Sequence, residues 1–205
     1  MVKGDKASFK ITKHDAFEVN LDDEDGYIYV INASNISVEF RHHIRIRHTS
    51  AGPPVATLLT EPLPFSTLLP IVAEKLIETT LLIAQGGPRK ITRVSVIATT
   101  AIALEDAPPG IARFIAYVSR PWKGRVDFYS LQITGLIDET PHWSDRCIHQ
   151  LTKLEDPDAV PTVKLDWQRT FTTSRPVTKE SIKTLLSHAE VSAKNYFEDV
   201  AEGNR

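Results

Sequence analysis

The stretch ISVEFRHHIRIRH, from Ile36 to His48, changes character at every second residue. One set of alternate side chains is largely apolar and comprises Ile36, Val38, Phe40, His42, Ile44, Ile46 and His48. The other set is polar, with most of its charge basic, and comprises Ser37, Glu39, Arg41, His43, Arg45 and Arg47. Because successive side chains of a strand point to opposite faces, this alternation predicts one long β-strand. We expect its apolar face to lie beneath a helix.

Strand-like patterns continue on both sides of this stretch. The predicted strands are rich in β-branched and aromatic residues and span 9–21, 27–31, 91–104, 111–119, 126–137 and 163–171. An acidic turn at 22–26 separates the first two strands, and residues 33–35 form a short hairpin connection. Residues 143–154 fit either a helix or an edge strand, and this choice stays open.

Two segments carry apolar residues at helical spacing. They predict amphipathic helices over about 66–85 and 179–202. Pro70 is tolerated only in a first turn, so the first helix is expected to begin near Ser66 or Thr67. Thr178 is the expected N-cap of the second helix, and Gly203 is its expected end.

These elements predict an α+β fold. Largely antiparallel sheets of long strands would have the two long helices packed on one face. Because no flexible linker interrupts the pattern, we expect residues 1–205 to form a single domain. The order of strands followed by a helix occurs twice, which allows two similar β-rich halves, 1–88 and 89–205.

Composition limits the classes of function. A net charge of -2 over 205 residues argues against a dedicated, strongly basic nucleic-acid binder. Cys147 is the sole cysteine, so no intrachain disulfide can form, as suits a reducing compartment. The first residues do not resemble a signal peptide, and Glu74, Lys75 and Glu78 interrupt the most apolar stretch. We therefore expect a soluble, cytoplasmic protein without membrane partners.

Three parts of the chain share a pattern with a known family. They are ITRVSV at 91–96, LDW at 165–167, and Val177-Thr178 followed by AKNYFE at 193–198. This pattern resembles a sporadically distributed bacterial protein family of unknown function and about this size. The chain lacks the family's Pro-Pro-containing start and the Tyr-Asn pair after Arg93. The resemblance implies a strands-helix-strands-helix α+β architecture and assigns no catalytic residue.

The basic face of the long strand is the first candidate site. Arg41, His43, Arg45 and Arg47 would be spaced about 6.6 Å apart along one strand face. That spacing is similar to the spacing of phosphates in an extended nucleic-acid strand, and arginine binds phosphate in bidentate fashion. The alternative is a solvated outer face, paired with carboxylates on a neighbouring strand, which contributes little energy.

A second basic cluster contains an aromatic residue. It comprises Arg120, Trp122, Lys123 and Arg125. A tryptophan flanked by cations can stack on a nucleic-acid base. The alternative is a hairpin loop whose tryptophan folds back onto the core.

Metal and cofactor motifs are absent from the sequence. His142, Asp145, Cys147 and His149 are potential ligands, but no Cys-x-x-Cys or His-Glu-x-x-His pattern accompanies them. The acidic run 23–26 lacks the oxygen ligands and the closing Glu of a calcium loop. We expect neither a metal nor another cofactor.

Three classes of function follow from these patterns. The first is a non-catalytic interaction or assembly module, oligomeric or part of a larger complex, since long strands can pair with another chain. The second is a binder of single-stranded nucleic acid or another polyanion. The third is an enzyme that uses scattered groups such as Asp166, His142 and Glu39, although no spacing favours them.

Overall fold

The computed structural model describes residues 9–15, 18–42, 44–49, 52–58, 63–101, 106–119, 129–153 and 160–204. For Phe9 and for residues 44–49, 52–58 and 118–119 only the backbone is described. The chain divides into two units, Met1–Gly87 and Pro88–Arg205, which we describe separately. The described residues form two four-stranded antiparallel sheets, a two-stranded sheet and three helices. The α+β class is confirmed.

The first unit is built on a meander of short strands. Its strands are β1 (Phe9–His14), β2 (Glu18–Asp23), β3 (Tyr27–Asn32) and β4 (Ile36–Phe40), in the spatial order β1-β2-β3-β4. The predicted first strand, 9–21, is therefore a hairpin of two strands. Local side chains stabilise the turns: the carboxylate of Asp23 accepts the Tyr27 N–H at 2.8 Å, and the amide oxygen of Asn32 accepts the Asn35 N–H at 2.7 Å. The acidic turn and the 33–35 connection are confirmed.

The prediction of one long strand from Ile36 to His48 is wrong. The alternation is divided between β4 and β5 (Ile44–Thr49), and β5 pairs with β6 (Gly52–Leu58) in a separate sheet. Phe40 pairs with Tyr27, the first residue of β3, and the Arg41 N–H donates to the Gly26 carbonyl in the turn before it. Beyond Phe40 the described part of β3 offers no further pairing position, so β4 ends there.

Helix α1 (Phe65–Ala84) packs on the meander. Val72 and Leu76 lie against a buried group formed by Tyr27, Tyr29 and Val38, with Phe40 beside it. The apolar side of the β4 segment therefore lies under a helix, as expected. Because α1 begins at Phe65, Pro70 falls in its second turn. Proline has no N–H, so the Ser66 carbonyl lacks the helical hydrogen bond that it would otherwise accept from residue 70.

The second unit contains the longer sheet. Its strands are β7 (Lys90–Ala101), β8 (Tyr129–Glu139), β9 (Trp143–Lys153) and β10 (Thr162–Pro176), all antiparallel, in the order β7-β10-β9-β8. Residues 143–153 are thus neither a helix nor an edge strand. They form an interior strand, in which Asp145, Cys147 and Leu151 are buried at alternate positions on one face.

The predicted strand at 111–119 is a helix, α2 (Pro109–Ser119). Proline is favourable in a first helical turn, and Ile111 and Ile115 are buried four residues apart on one helical side. Helix α2 packs against α3 (Lys179–Glu202), which begins at the predicted cap Thr178 and ends at Gly203 with φ 78°. The side chains of Thr178 and Ser181 form a capping box, so this helix is confirmed at both ends.

Helix α3 covers one face of the second sheet, over β7 and β10. The largest side chains that are almost completely buried are those of Trp167, Leu151 and Cys147. Burial of a large apolar side chain stabilises the fold by about 2 kcal/mol. The two units differ in strand order and in their number of helices, and the similarity of the two halves stays a prediction. None of the described helices has a segment long and apolar enough to cross a membrane.

Candidate functional site

Arg41 is the one member of the predicted basic strand face whose side chain is described. It is exposed and donates to the carboxylate of Glu39 at 2.8 Å. Arg45 and Arg47 belong to β5, but their side chains, like His43 as a whole, lie outside the described residues. Because β4 and β5 belong to different sheets, the prediction that four cations form a continuous row on one strand is wrong. Binding of a polyanion stays a prediction.

The second basic cluster lies outside the described residues. Arg120, Trp122, Lys123 and Arg125 all fall within 120–128, so their predicted role stays a prediction.

The potential metal ligands around β9 have other partners. Asp145 is ion-paired with Arg169, Cys147 is fully buried, and His149 lies 2.9 Å from the hydroxyl of Tyr196. Burial raises the pKa of the Cys147 thiol to about 12 and lowers the pKa of His149. Among the described residues, no group of three or more His, Cys, Asp or Glu side chains could hold a metal ion.

The residues considered for an enzyme are not brought together within the second unit. The His142 carbonyl accepts the Thr172 N–H, so His142 lies about six residues along the strand from Asp166. At about 3.3 Å per residue this is about 20 Å. Glu39 belongs to the first unit and is ion-paired with Arg41.

Strand β8 is an edge strand of the second sheet. It pairs with β9 on one side and is the last strand in the described sheet order, so its outer edge has no described neighbour. None of its eleven residues is buried. Ile133 is 46% exposed and Leu136 is 58% exposed, on opposite faces of the strand. Backbone groups and apolar side chains are thus exposed along the same edge.

The opposite edge, β7, is better protected. Its Val94 and Val96 are buried on the face that α3 covers. Lys90 and Arg93 add exposed charge to β7, and charge on an edge strand discourages pairing with another chain. The two edges of this sheet therefore differ in burial: β7 contributes Val94 and Val96 to the buried residues, whereas β8 contributes none.

The central part of β8 lacks most features that prevent edge pairing. The seven residues from Leu131 to Ile137, LQITGLI, contain neither charge nor proline. The register with β9 shifts between Leu136 and Asp138, and two acidic residues, Asp138 and Glu139, follow. A Cβ atom built on Gly135 would meet nothing within 4 Å, so there is open space beside this glycine.

The face of the second sheet opposite α3 contains one buried carboxyl group. Asp166 is 8% exposed and lies in register with Ile148 on β9, Thr134 on β8 and Ile97 on β7. Its Oδ2 accepts the side-chain amide of Gln168 at 3.0 Å, whereas its Oδ1 has no hydrogen-bond partner in the described structure. Such a group is costly for stability.

Strand β9, which supports β8, is held firmly to β10. The guanidinium of Arg169 donates to both oxygens of Asp145, at 2.7 and 2.6 Å, and lies 3.8 Å from the centre of the Trp143 ring. This bidentate ion pair joins the two interior strands near the end at which β8 enters the turn to β9. The strand with which β8 pairs is therefore fixed to the interior of the sheet by an ion pair.

Sequence reasoning did not single out β8 as a site. The available signal was the uncharged run 131–137 within the predicted strand 126–137, but its position at an edge depends on the strand order. No family model, no curated protein and no solved structure matches the chain. The resemblance noted from the sequence consequently stays a prediction.

Proposed function

We propose that the chain is a non-catalytic interaction module that assembles by pairing the outer edge of β8 with a strand of another chain. The observation that carries this proposal is an eleven-residue edge strand with no buried residue and an uncharged centre. Cytoplasm is the expected compartment, since a single cysteine allows no intrachain disulfide and suits a reducing environment.

Strand addition suits this edge for a physical reason. No described strand pairs with the outward N–H and C=O groups of β8, and an added strand would satisfy them at fixed geometry. Ile133 and Leu136 would become covered on the two faces, which adds apolar burial to the backbone hydrogen bonds. The support from β9 and β10 reduces the ordering that binding requires.

The test is a photo-crosslinking amino acid placed at either of two matched positions. Leu136 on β8 and Ile97 on β7 are both apolar, both more than half exposed, and both on the face opposite α3. The purified chain and an extract of its source cells would each be irradiated. We expect a covalent adduct from position 136 and none from position 97.

The control for specificity is Ile133→Lys, which places a charge on the β8 edge and should remove the adduct formed at position 136. An adduct that survives this substitution, or equal adducts from positions 97 and 136, would overturn the proposal. Absence of any adduct from position 136 would do the same.

A further inference from the structure

We infer that the strand that pairs with β8 is β8 of a second copy of this chain. The two strands would run antiparallel about a two-fold axis at Thr134 and join two four-stranded sheets into one of eight strands. This inference rests on the proposed function, because it names the partner at the same edge. Three properties of β8 support it.

The first property is the position of the uncharged segment. Leu131 and Ile137 bound it, and Thr134 is its centre, so an axis at Thr134 places the whole segment opposite its copy. Leu131 then lies opposite Ile137, and Thr134 lies opposite Thr134. Directly opposed β-branched and apolar residues stabilise antiparallel strands.

The second property is complementary shape. In the same register, Ile133 lies opposite Gly135 of the other copy, and both belong to the face that α3 covers elsewhere in the sheet. The open space beside Gly135 can accommodate the half-exposed Ile133 side chain. The two-fold axis repeats this large-to-small contact once on each side of Thr134, which is the reciprocity that an isologous dimer requires.

The third property is the distribution of charge. Asp138 and Glu139 follow the uncharged segment, so antiparallel pairing places the acids of the two copies at opposite ends. Each acidic pair then lies near Tyr129 of the other copy, whose neighbour on β9 is Lys153. Parallel pairing in register would instead oppose like charges, which is unfavourable. The charges therefore select the antiparallel arrangement.

The experiment uses a charge exchange at the two-fold axis. Thr134→Lys and Thr134→Glu each place like charges opposite each other in the homodimer, whereas their equimolar mixture places opposite charges there. By sedimentation equilibrium we expect each variant alone to dissociate with a constant raised about fivefold. The mixture should return to a value near that of the wild type.

A disulfide provides the matched structural test. Opposed residues of antiparallel strands have Cα atoms about 4.5–5.5 Å apart, within the range that a disulfide bridges. Oxidised Thr134→Cys should therefore give a covalent dimer. The wild-type chain, whose Cys147 is buried, and Thr99→Cys on the exposed part of β7 should form no covalent dimer under the same conditions.

The outcomes separate this inference from the proposed function. A covalent dimer of Thr134→Cys together with rescue in the charge mixture supports self-pairing. Failure of both, with an adduct to a different chain from position 136, overturns self-pairing and leaves the interaction module intact. Crosslinking through Thr99→Cys in place of Thr134→Cys overturns self-pairing through β8 and assigns the dimer to β7.

Discussion

Arg169 and Asp145 form an ion pair whose two side chains are almost completely withdrawn from water. Their side chains are 13% and 5% exposed, and the guanidinium also lies against the rings of Trp143 and Trp167. Removing one partner would leave the other as a buried charge without compensation. We expect Asp145→Ala to lower the free energy of unfolding by about 3–5 kcal/mol.

The matched control for Asp145→Ala is Glu39→Ala, which removes the carboxylate from an exposed ion pair with Arg41. That change should cost less than about 1 kcal/mol. For Asp145→Ala, unfolding of the second unit in urea is followed by the reaction of the buried Cys147 thiol. For Glu39→Ala, unfolding in urea is followed by circular dichroism. Equal losses from the two substitutions would contradict the structural role of the Arg169 pair.

Asp166 has the opposite expected effect. Its Oδ1 is buried without a described partner, between Ile97 and Ile148 on the neighbouring strands. Replacing an unsatisfied polar group with an apolar one of similar size removes a desolvation penalty, and valine favours strands. We expect Asp166→Val to raise the free energy of unfolding by about 1 kcal/mol, measured in urea. A loss of stability would show that the carboxylate is satisfied in the folded chain.

His149 should make the stability of the second unit dependent on pH. Burial between β8, β10 and α3 lowers its pKa from the usual 6.5, and its ring packs edge-on against Tyr196. Because the unfolded chain binds this proton more readily, stability is complete above about pH 6.5 and falls as the pH decreases below it. We expect the urea midpoint to fall between pH 7.5 and 5.5, and to fall less in His149→Gln.

At the level of elements, α2 and α3 make a close contact that depends on one glycine. A Cβ atom at Gly110 would overlap the Val200 carbonyl oxygen, and Arg113 donates to the carbonyls of Glu202 and Gly203 beside it. These two hydrogen bonds hold the positively charged guanidinium of Arg113 at the C-terminal end of α3, where the helix dipole favours a cation. The start of α2 and the end of α3 therefore form one junction.

We expect Gly110→Ala to destabilise the second unit by about 1–3 kcal/mol, because the two helices must separate to admit the methyl group. Gly135→Ala is the matched control, since its methyl group would enter open space in β8. It should be neutral or slightly stabilising, because glycine weakens a strand. Thermal unfolding followed by circular dichroism at low protein concentration compares the two, and a neutral Gly110→Ala would contradict the junction.

The elements that sequence patterns predicted best are those whose ends are determined locally. Helix α3 has its cap at Thr178 and its terminating glycine within its own segment, and both were predicted correctly. The segment 111–119 was predicted incorrectly because its β-branched and aromatic residues favour a strand, whereas contact with α3 buries Ile111 and Ile115 as one helical face. Tertiary packing overrides local preference there.

Pairing between distant strands was the part that the sequence left undetermined. The alternation from Ile36 to His48 is real, but its division between β4 and β5 depends on where β3 begins. The edge position of β8 likewise depends on β9 and β10 lying in the interior of the sheet. Parity in a single strand predicts which side chains share a face, whereas the order of strands determines which edge is exposed.

At the scale of the whole molecule, each unit contains its own buried residues. Tyr27, Tyr29 and Val38 are covered by α1 in the first unit. In the second unit the buried side chains come from β7, β9 and β10 of the sheet and from α2 and α3. Each group of elements thus has the sheet and helix layers that a small domain requires.

The second unit should therefore fold when residues 88–205 are produced alone. Trp167, Leu151 and Cys147 lie on β9 and β10 on the face that α3 covers, all within this fragment, and the ion pair of Asp145 with Arg169 is also internal to it. We expect the fragment to unfold cooperatively in urea and to protect the Cys147 thiol as the full chain does, because burial holds the pKa of this thiol near 12 and excludes reagents. The fragment carrying Trp167→Ala provides the control, since loss of this buried ring should cost about 3–5 kcal/mol and expose the thiol. A wild-type fragment whose thiol reacts at the rate of an unfolded chain would show that residues 1–87 are needed to form this core.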